Sequence, residues 1–438
     1  MSINHIKFSQ SGNVLVDVLG VHLLLYTTGK TGFATVSQTI WDSSPYTFAA
    51  SLHCFPANSM DFGKNSDTLV LVTGASGYIA SHCVKLLLSE GYRVRGTVRS
   101  LKNEKKVAPV RQLQQDDRLE LVEADLLRPD DWSSVVSGCH YILHIASPFP
   151  IVASETCIDI AVNGTLNVLR AAEKQPSVKK VVLTSSCAAV NEGYAQDRVF
   201  DETSWTDVLS PTVEYYAKSK TLAEKAAWEF VDGIKEGNKF ALTCLNPTMV
   251  VGPLLINEEG ASITLVRRFL NTEMPAVPRL NLAFVDVRDV ARAHVEAMRR
   301  PESDGERILV GVLSEKSMYY TLLVGMRYIQ ITSQPSFWFR DIARILGKEF
   351  RHQGFWVPRY QVPYCLLWLY SFFDKEAAAC LNRVGHTIRF DNSKAQRLLG
   401  MKFRDPAESL IEMGYSLIER GIVKKPSGYQ GVPNKWKQ

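Results

Sequence analysis

The stretch Thr68-Leu-Val-Leu-Val-Thr-Gly-Ala-Ser-Gly-Tyr-Ile-Ala80 indicates the fold class of this chain of 438 residues. Its first six residues are an almost unbroken apolar run, as expected of a strand that is buried on both faces of a parallel sheet. A glycine-rich turn follows, and a helical pattern then covers residues 79–89. A buried strand, a glycine turn and a helix in direct succession predict the start of a βαβ unit.

The same alternation of strands and helices continues downstream. Short apolar runs predict strands, and longer patterns with a helical period predict helices. The predicted strands are 93–98, 119–123, 141–144, 180–184 and 240–245, and the predicted helices are 161–174, 216–230, 287–298 and 407–420. We therefore predict an α/β fold with a doubly wound parallel sheet (Rossmann) and a smaller, irregular α+β lobe that binds substrate.

The composition indicates a globular protein with a small-molecule partner. Apolar residues make up 46% and charged residues 22% of the chain, and the net charge is only +5. This balance gives no reason to expect nucleic acid or a membrane as a partner, and no apolar run reaches the roughly 20 residues of a membrane span. The eight cysteines form no Cys-x-x-Cys pair. We therefore expect no metal site, free thiols in the core and a cytoplasmic location.

The turn after the first strand has the composition of a phosphate-binding loop. Gly74 permits a tight turn, Gly77 lets the backbone approach a pyrophosphate, and Ala80 allows the helix to pack closely on the strand. The helix that follows offers free N–H groups and the positive end of its dipole to the phosphates. Because the turn lies directly between a strand and a helix, we predict a dinucleotide site there.

The end of the second strand indicates which dinucleotide binds. NAD sites usually carry an acidic residue there, which holds the ribose 2′-hydroxyl. This chain has Arg99 instead, with Lys102, Lys105 and Lys106 close behind. A guanidinium suits a 2′-phosphate. We therefore interpret these basic residues as an NADP(H) site and not as a basic loop exposed to solvent. Asp125, after the third strand, is either a contact for the adenine amino group or a turn residue.

Three residues form a candidate catalytic group for carbonyl reduction. Tyr216 and Lys220 are four residues apart at the start of a predicted helix, which places them on one face. Ser186 follows a buried strand at the carboxyl edge of the sheet, where the three side chains can meet. Tyr216 would donate a proton to the carbonyl oxygen, and Ser186 would orient and stabilise that oxygen. Lys220 is expected to lower the pKa of Tyr216 and to hold the nicotinamide ribose.

Several motifs together resemble those of one family. They are Val72-Thr-Gly-Ala-Ser-Gly-Tyr-Ile-Ala80, Gly96-Thr-Val-Arg99, His144-Ile-Ala-Ser-Pro-Phe149, Thr184-Ser-Ser186, Asp201-Glu-Thr-Ser-Trp205, Tyr216-Ala-Lys-Ser-Lys-Thr-Leu-Ala-Glu224, Asn246-Pro-Thr-Met-Val-Val-Gly-Pro253 and Phe284-Val-Asp-Val-Arg-Asp-Val-Ala291. Over residues 68–425 the chain resembles the extended short-chain dehydrogenase/reductases. Within them it looks like the group of dihydroflavonol, anthocyanidin and cinnamoyl-CoA reductases and yeast-type aldehyde reductases. This resemblance implies an NADPH-dependent reductase of an aldehyde or ketone, working as a monomer or a homodimer.

The resemblance also implies roles for individual residues. Ser186, Tyr216 and Lys220 would be catalytic, and Asn191 lies where flavonoid-reducing members hold a substrate hydroxyl. The implied cofactor contacts are Thr73, Gly74, Ser76, Gly77, Tyr78, Ile79, Arg99, Lys106, Asp125, Leu126, Ala146, Pro247, Val250 and Ser262.

Other residues in these motifs have a structural interpretation. We interpret His144 as a buried histidine at a strand end, and Asp286 and Asp289 as helix caps. A group of aromatic residues either lines an apolar pocket or forms a core cluster: Phe355, Trp356, Trp368, Tyr370, Phe372 and Phe373.

We divide the chain into an extension (1–66), an NADP-binding Rossmann domain (67–245) and a substrate-binding lobe (246–430) whose elements interleave with the Rossmann domain. The extension has no counterpart in the resemblance, and Met60 reads like a natural start. We expect the extension to be disordered or an artefact of the gene model. Residues 311–331 interrupt the lobe as an insertion, which is functional, disordered or, in our preferred interpretation, a retained intron.

Three other functions stay open at this point. A hydroxysteroid dehydrogenase or a sugar-nucleotide epimerase/dehydratase would belong to the same superfamily, but such enzymes tend to carry an acidic residue where Arg99 stands. A non-catalytic NADP sensor would typically have lost Tyr216 or Lys220, and this chain keeps both.

Overall fold

The computed structural model describes four strands within residues 5–38 and then residues 62–113, 117–147, 154–194, 198–235, 237, 239–311 and 336–437. The chain divides into two units, 1–61 and 62–438. Met60 and all but the first residue of the expected insertion at 311–331 lie outside the described residues. None of the described helices is long and apolar enough to cross a membrane.

The first unit contains a small antiparallel sheet. Each strand pairs with the next one along the chain, so that Ile6 lies opposite Val16 and Leu25 lies opposite both Val14 and Val36. The strands are β1 (His5–Phe8), β2 (Val14–Val18), β3 (Val21–Thr28) and β4 (Phe33–Gln38). Short connections between consecutive strands favour this antiparallel arrangement.

The second unit alternates strands with helices. Its strands are β5 (Leu69–Val72), β6 (Arg93–Val98), β7 (Leu119–Glu123), β8 (Tyr141–His144), β9 (Lys180–Thr184), β10 (Val199–Phe200), β11 (Ala241–Pro247), β12 (Met249–Val251), β13 (Asn281–Asp286), β14 (Arg307–Val310), β15 (Ser336–Trp338) and β16 (Arg389–Phe390). Its helices are α1 (Tyr78–Ser89), α2 (Glu104–Arg111), α3 (Asp131–Val136), α4 (Thr156–Glu173), α5 (Tyr215–Asp232), α6 (Ala261–Leu270), α7 (Val287–Arg299), α8 (Phe339–Phe350), α9 (Tyr364–Tyr370), α10 (Lys375–Cys380), α11 (Ser393–Leu399) and α12 (Pro406–Glu419).

Seven of the described strands form the parallel sheet that the sequence predicts. Their order across the sheet is β14-β11-β9-β8-β5-β6-β7, and each neighbouring pair is parallel. The chain runs outward in one direction from β5 to β7 and in the other from β8 to β14. The direction reverses between β5 and β8, and doubly wound sheets bind their ligands at the carboxyl ends of strands at such a point. The predicted fold class is therefore confirmed.

Helices cover both faces of this sheet. On strand β5, Val70 and Val72 belong to a core shared with helices α1 and α7, while Leu69 and Leu71 belong to a core shared with α4 and α5. All four side chains are buried. Successive side chains of a strand point to opposite faces, so an apolar run without polar interruption is what a strand between two helical layers requires.

The lobe has its own small sheet and its own core. Strand β13 pairs in parallel with β12 and antiparallel with β15. Helices α6, α8 and α12 pack over a core that includes Phe269, Phe284 and Phe350. The Asp286 side chain accepts a hydrogen bond from the Arg288 amide and so caps helix α7, as predicted. Asp289 does not cap this helix; it lies within α7 and pairs with Arg404.

The aromatic group between residues 355 and 373 is divided between the core and the surface. Only Phe355 is buried, and its ring contacts Phe350 and Tyr429 in the core of the lobe. The other five members are exposed, with Phe373 reaching 84% exposure: Trp356, Trp368, Tyr370, Phe372 and Phe373. Their exposure contradicts the predicted core cluster for these five residues.

Candidate active site

The loops after β5 and β8 meet where the strand order reverses. The Thr73 hydroxyl accepts hydrogen bonds from the Ile145 and Ala146 amides, both at 2.9 Å. Both lone pairs of this oxygen are thus used, so its own hydrogen is available to the Nδ1 atom of His144 at 3.0 Å. Burial lowers the pKa of His144 to about 3, which keeps the ring neutral and able to accept. His144 is therefore the buried histidine at a strand end that the sequence predicts.

The glycine turn adopts the shape of a phosphate cradle. Gly74 has a φ of +67°, a conformation that favours glycine, and its amide donates to the Thr97 hydroxyl at 2.9 Å. A Cβ atom on Gly77 would lie 3.2 Å from the Gly74 oxygen, so a side chain there would crowd the turn. Helix α1 begins directly afterwards at Tyr78, and the first amides of a helix have no partner within the helix. The turn therefore fits a pyrophosphate group.

Tyr78 points its side chain away from this cradle. Its hydroxyl donates to the backbone oxygen of Gly252 at 2.8 Å, which ties helix α1 to the segment after β12. Burial and the nearby Asp286 carboxylate raise the pKa of Tyr78, so the phenol stays protonated and able to donate. The backbone of Tyr78, and not its hydroxyl, is therefore available for the predicted cofactor contact.

The basic residues after β6 differ in their surroundings. Arg99 is exposed and forms no ion pair with the described part of the chain. Lys106, on helix α2, forms an ion pair with Glu258 from the segment before α6. A free guanidinium at the end of the second strand fits a 2′-phosphate, whereas the ammonium of Lys106 already has a carboxylate partner.

Other predicted cofactor residues lie on several different elements. The Asp125 carboxylate accepts from the Leu127 amide at 2.9 Å, which favours its interpretation as a turn residue. The Leu126 backbone oxygen accepts from Asn167. Pro247 is the last residue of β11, and Val250 lies in the neighbouring β12. Ser262 is buried in the first turn of α6.

The three predicted catalytic residues come together at the carboxyl edge of the sheet. Ser186 lies two residues after β9, where its side chain accepts from the Ala188 amide at 3.1 Å. Tyr216 is in the first turn of α5 and shares a hydrogen bond with the Ser186 side chain. Lys220 follows one turn later and is only 7% exposed. Its charge also acts on His144, which places the ammonium near the end of β8.

The acidity of these residues differs from the prediction. Burial raises the pKa of the Tyr216 phenol, and the opposing influence is the hydrogen bond to Ser186. The predicted lowering of the Tyr216 pKa is therefore wrong, because burial is the largest influence on the phenol. Burial lowers the pKa of Lys220 to about 8, and the neighbouring Glu224 carboxylate acts in the opposite direction. Near neutral pH, Tyr216 is thus a phenol and Lys220 is mostly an ammonium.

Asn191, the predicted substrate contact, lies on a loop next to residues that pair with the lobe. Asn191 follows the turn after Ser186, and its Oδ1 atom is buried without a hydrogen bond from the described residues. Next to it, the Glu192 carboxylate pairs with Arg383 of the lobe at 3.1 Å, and Arg383 also lies 4.0 Å from Glu214, the residue before α5. This ion-pair group joins the lobe to the catalytic loop.

One feature of this region was not predicted from the sequence. The Glu224 carboxylate, fully buried next to the catalytic group, accepts hydrogen bonds from Ser185, Asn246 and Arg307. Its spacing of four residues from Lys220 was a usable signal, because residues four apart lie on one helix face. Arg307 and Asn246 carry no local signal, since only the pairing of β11 with β9 and β14 brings them here.

Comparison with known proteins gives consistent matches. The sequence model of the NAD dependent epimerase/dehydratase family matches residues 70–311. A cinnamoyl-CoA reductase of Medicago truncatula is 42% identical over 270 residues, 60% of this chain and 80% of the relative. Tetraketide alpha-pyrone reductase 1 of Arabidopsis thaliana is 40% identical over 363 residues, 81% of this chain and 96% of the relative. The crystal structure of yeast methylglyoxal/isovaleraldehyde reductase Gre2 with NADPH has a TM-score of 0.64 at 29% identity, covering 81% of this chain and 100% of that one.

Proposed function

Because this chain belongs to the NAD dependent epimerase/dehydratase family, we propose that it is an NADPH-dependent reductase of aldehydes or ketones, with Ser186, Tyr216 and Lys220 as its catalytic residues. The observation that carries the proposal is the hydrogen bond between Ser186 and Tyr216 with Lys220 one turn away. This group lies at the sheet edge that also holds the phosphate cradle. Arg99, exposed and without an ion pair in the described chain, supports NADPH over NADH.

Each catalytic residue has a distinct task in this proposal. NADPH, when bound, supplies the hydride that adds to the carbonyl carbon. Ser186 donates a hydrogen bond to the carbonyl oxygen and stabilises the charge that develops there. Tyr216 transfers its phenolic proton to that oxygen, which completes the alcohol. The Lys220 ammonium then stabilises the phenolate that remains, and the phenolate recovers a proton from solvent.

Burial has a chemical consequence for this proton transfer. A phenol with a raised pKa is a weaker acid, so proton transfer depends on the negative charge that develops on the substrate oxygen during the reaction. The Lys220 ammonium, one helical turn away, makes the resulting phenolate less costly than it would be without that charge. The site is therefore arranged to favour the charge distribution that follows hydride addition.

The experiment is NADPH oxidation at 340 nm by the full chain with a panel of aldehydes and ketones. We expect Tyr216→Phe to lower kcat about 100- to 10,000-fold while NADPH still binds. Tyr215→Phe is the matched control, because Tyr215 is adjacent on the same helix but exposed. Equal loss in both variants, or full activity of Tyr216→Phe, would remove Tyr216 from the mechanism. NADPH binding without turnover of any carbonyl would favour a cofactor sensor instead.

We also propose a cytoplasmic location and a monomer or homodimer. The free thiols among the described cysteines support a reducing compartment. Cell fractionation tests the location, and light scattering on the purified protein tests the oligomeric state. Recovery in an oxidising compartment, or a mass above that of two chains, would contradict these proposals.

A further inference from the structure

A buried carboxylate connects four parts of the catalytic region. Glu224 of α5 is 1% exposed, and three side chains donate to it. They are the Ser185 hydroxyl at 2.5 Å, the Asn246 amide at 2.8 Å and the Arg307 Nε group at 2.5 Å. These donors come from the end of β9, from β11 and from β14. A single carboxylate thus joins the catalytic helix to three neighbouring strands.

Asn246 extends this connection to the catalytic serine. Its Nδ2 group donates to Glu224 and also, at 3.1 Å, to the backbone oxygen of Ser186. An amide nitrogen carries two hydrogens, so both bonds can exist at once. The backbone of Ser186 is therefore held through Asn246, and its neighbour Ser185 is held directly. Tyr216 lies two turns before Glu224 on the helix, so the spacing between Ser186 and Tyr216 depends on these bonds.

Arg307 is itself firmly held. Its guanidinium lies 3.5 Å from the centre of the Trp205 ring, and its Nη1 group donates to the Glu202 and Ser204 backbone oxygens at 2.7 and 2.9 Å. An ion pair buried in this way contributes little net stability compared with apolar side chains of similar size. Its hydrogen bonds nevertheless fix the carboxylate in one orientation.

Glu224 is also the nearby opposite charge for Lys220. Among the described residues, His144 and Glu224 interact electrostatically with Lys220, and Tyr216 lies one turn before it. Cys187 acts on Tyr216, and Arg307 lies beyond the Glu224 carboxylate. Burial keeps His144 neutral and raises the pKa of both Cys187 and Tyr216. Among these groups, Glu224 is the one whose negative charge favours the ammonium form of Lys220.

We propose that Glu224 is a positioning residue for the reduction: its carboxylate fixes Ser186 relative to Tyr216 and keeps Lys220 charged. This inference rests on the proposed function. Glu224 touches neither substrate nor cofactor and acts through these three residues. A carboxylate serves both tasks, because it accepts several hydrogen bonds and carries a negative charge.

The test compares the pH profile of kcat in the wild type and in Glu224→Gln. The wild-type rate should fall as the pH rises through the pKa of Lys220, about 8. Without the carboxylate charge, we expect this alkaline limb to move about one pH unit lower and kcat at pH 6.5 to fall about tenfold. NADPH binding at pH 6.5, measured by fluorescence, should remain within about twofold. A merely structural defect would lower the rate equally at every pH and would contradict the proposal.

Glu202→Gln is the matched control. Glu202 is a buried carboxylate near Arg307, and its side chain accepts a hydrogen bond from the Leu309 amide of β14 at 3.0 Å. We expect its alkaline limb to coincide with that of the wild type. Glu224→Gln could fail to fold because Arg307 is left unpaired; the double variant Glu224→Gln/Arg307→Met then removes both buried charges. The alkaline fall of kcat in the double variant should also occur at a lower pH than in the wild type.

A second readout separates this inference from the reductase proposal. The ¹³Cε resonance of Lys220, assigned by its loss in Lys220→Met, reports the lysine pKa without any substrate. A lower lysine pKa in Glu224→Gln than in the wild type supports the role of Glu224 even when no carbonyl is turned over. An unchanged lysine pKa overturns the role in charging Lys220, whatever the substrate is.

Discussion

Lys106 and Glu258 lie 152 residues apart in the chain and form an ion pair at the edge of the cofactor region. Lys106 belongs to the helix after the second strand, and Glu258 belongs to the segment that leads into α6. Arg420 of the lobe anchors the start of that segment, because its guanidinium donates to the Leu254 and Leu255 oxygens. The Glu258 carboxylate is therefore paired with Lys106, the lysine that the sequence assigns to the 2′-phosphate.

The first prediction concerns competition for Lys106. In Glu258→Gln the lysine has no carboxylate partner, so we expect NADPH to bind about two- to fivefold more tightly, in line with the energy of an exposed ion pair. NADH has no 2′-phosphate, and its affinity should not change. Fluorescence titration with both cofactors measures this, with Glu259→Gln as the control. Weaker NADPH binding would instead mean that the ion pair closes over the bound cofactor.

The second prediction concerns cofactor choice. We expect Arg99→Ser to raise the Kd for NADPH about 10- to 100-fold, because a charge-assisted hydrogen bond to phosphate is lost. The Kd for NADH should stay nearly constant. Arg93→Ser is the control, since Arg93 is exposed at the opposite end of the same strand. An equal loss of affinity for both cofactors would place Arg99 outside the 2′-phosphate site.

The third prediction concerns a hydrogen bond between the two parts of the second unit. In Tyr78→Phe the Gly252 oxygen loses its donor at a largely buried position. We expect the free energy of unfolding to fall by about 1–3 kcal/mol, measured by urea denaturation. The exposed Tyr215→Phe should unfold like the wild type. A stability loss shared by both variants would show that the hydroxyl of Tyr78 contributes nothing specific.

The fourth prediction concerns stability in acid. His82 donates through Nε2 to the Pro253 oxygen, and burial lowers its pKa from 6.5 to about 4. In the unfolded chain His82 is therefore protonated below pH 6.5, whereas in the folded chain it is protonated only below about pH 4. The stability that comes from keeping His82 neutral is intact above pH 6.5 and is lost as the pH falls towards 4. At pH 5 the loss amounts to about 2 kcal/mol.

The variant for this test is His82→Gln, which keeps an N–H donor but does not titrate. The difference in unfolding free energy between pH 7.5 and pH 5 should be smaller in His82→Gln than in the wild type. His352→Gln should behave like the wild type, because His352 is exposed. An acid dependence identical in all three proteins would exclude His82 as its source.

The parts of the fold that follow from local sequence were predictable. An apolar run before a glycine turn identified β5 and α1, and the strands at 93–98, 119–123, 141–144 and 180–184 have the bounds that the structure shows. Helix α4 begins at Thr156, five residues before the predicted start at 161. Its first turn includes Asp159 and lies before the regular apolar period begins, so periodicity underestimates its length.

The parts of the site that depend on distant contacts were not predictable from one sequence. Glu258 reaches Lys106, and Arg307 reaches Glu224, only after the lobe and the outer strands have packed. The predicted lowering of the Tyr216 pKa was wrong for a related reason. Spacing shows that a lysine is close, but desolvation depends on everything that covers the phenol. The exposure of the aromatic residues near Phe373 likewise follows only from the three-dimensional packing.

The pairing of Glu224 with Arg307 also sets an order of events during synthesis. The arginine leaves the ribosome 83 residues after the glutamate, roughly 4–17 s later at ordinary rates of translation. Until strand β14 arrives, β11 has no outer neighbour and the carboxylate lacks its guanidinium partner. The catalytic helix and the serine strand can therefore form early, but their final spacing is completed only when residues 307–310 add to the sheet. A nascent chain stopped before this point would hold a nucleotide-binding half with an unfinished centre, a species that chaperones and proteases can recognise.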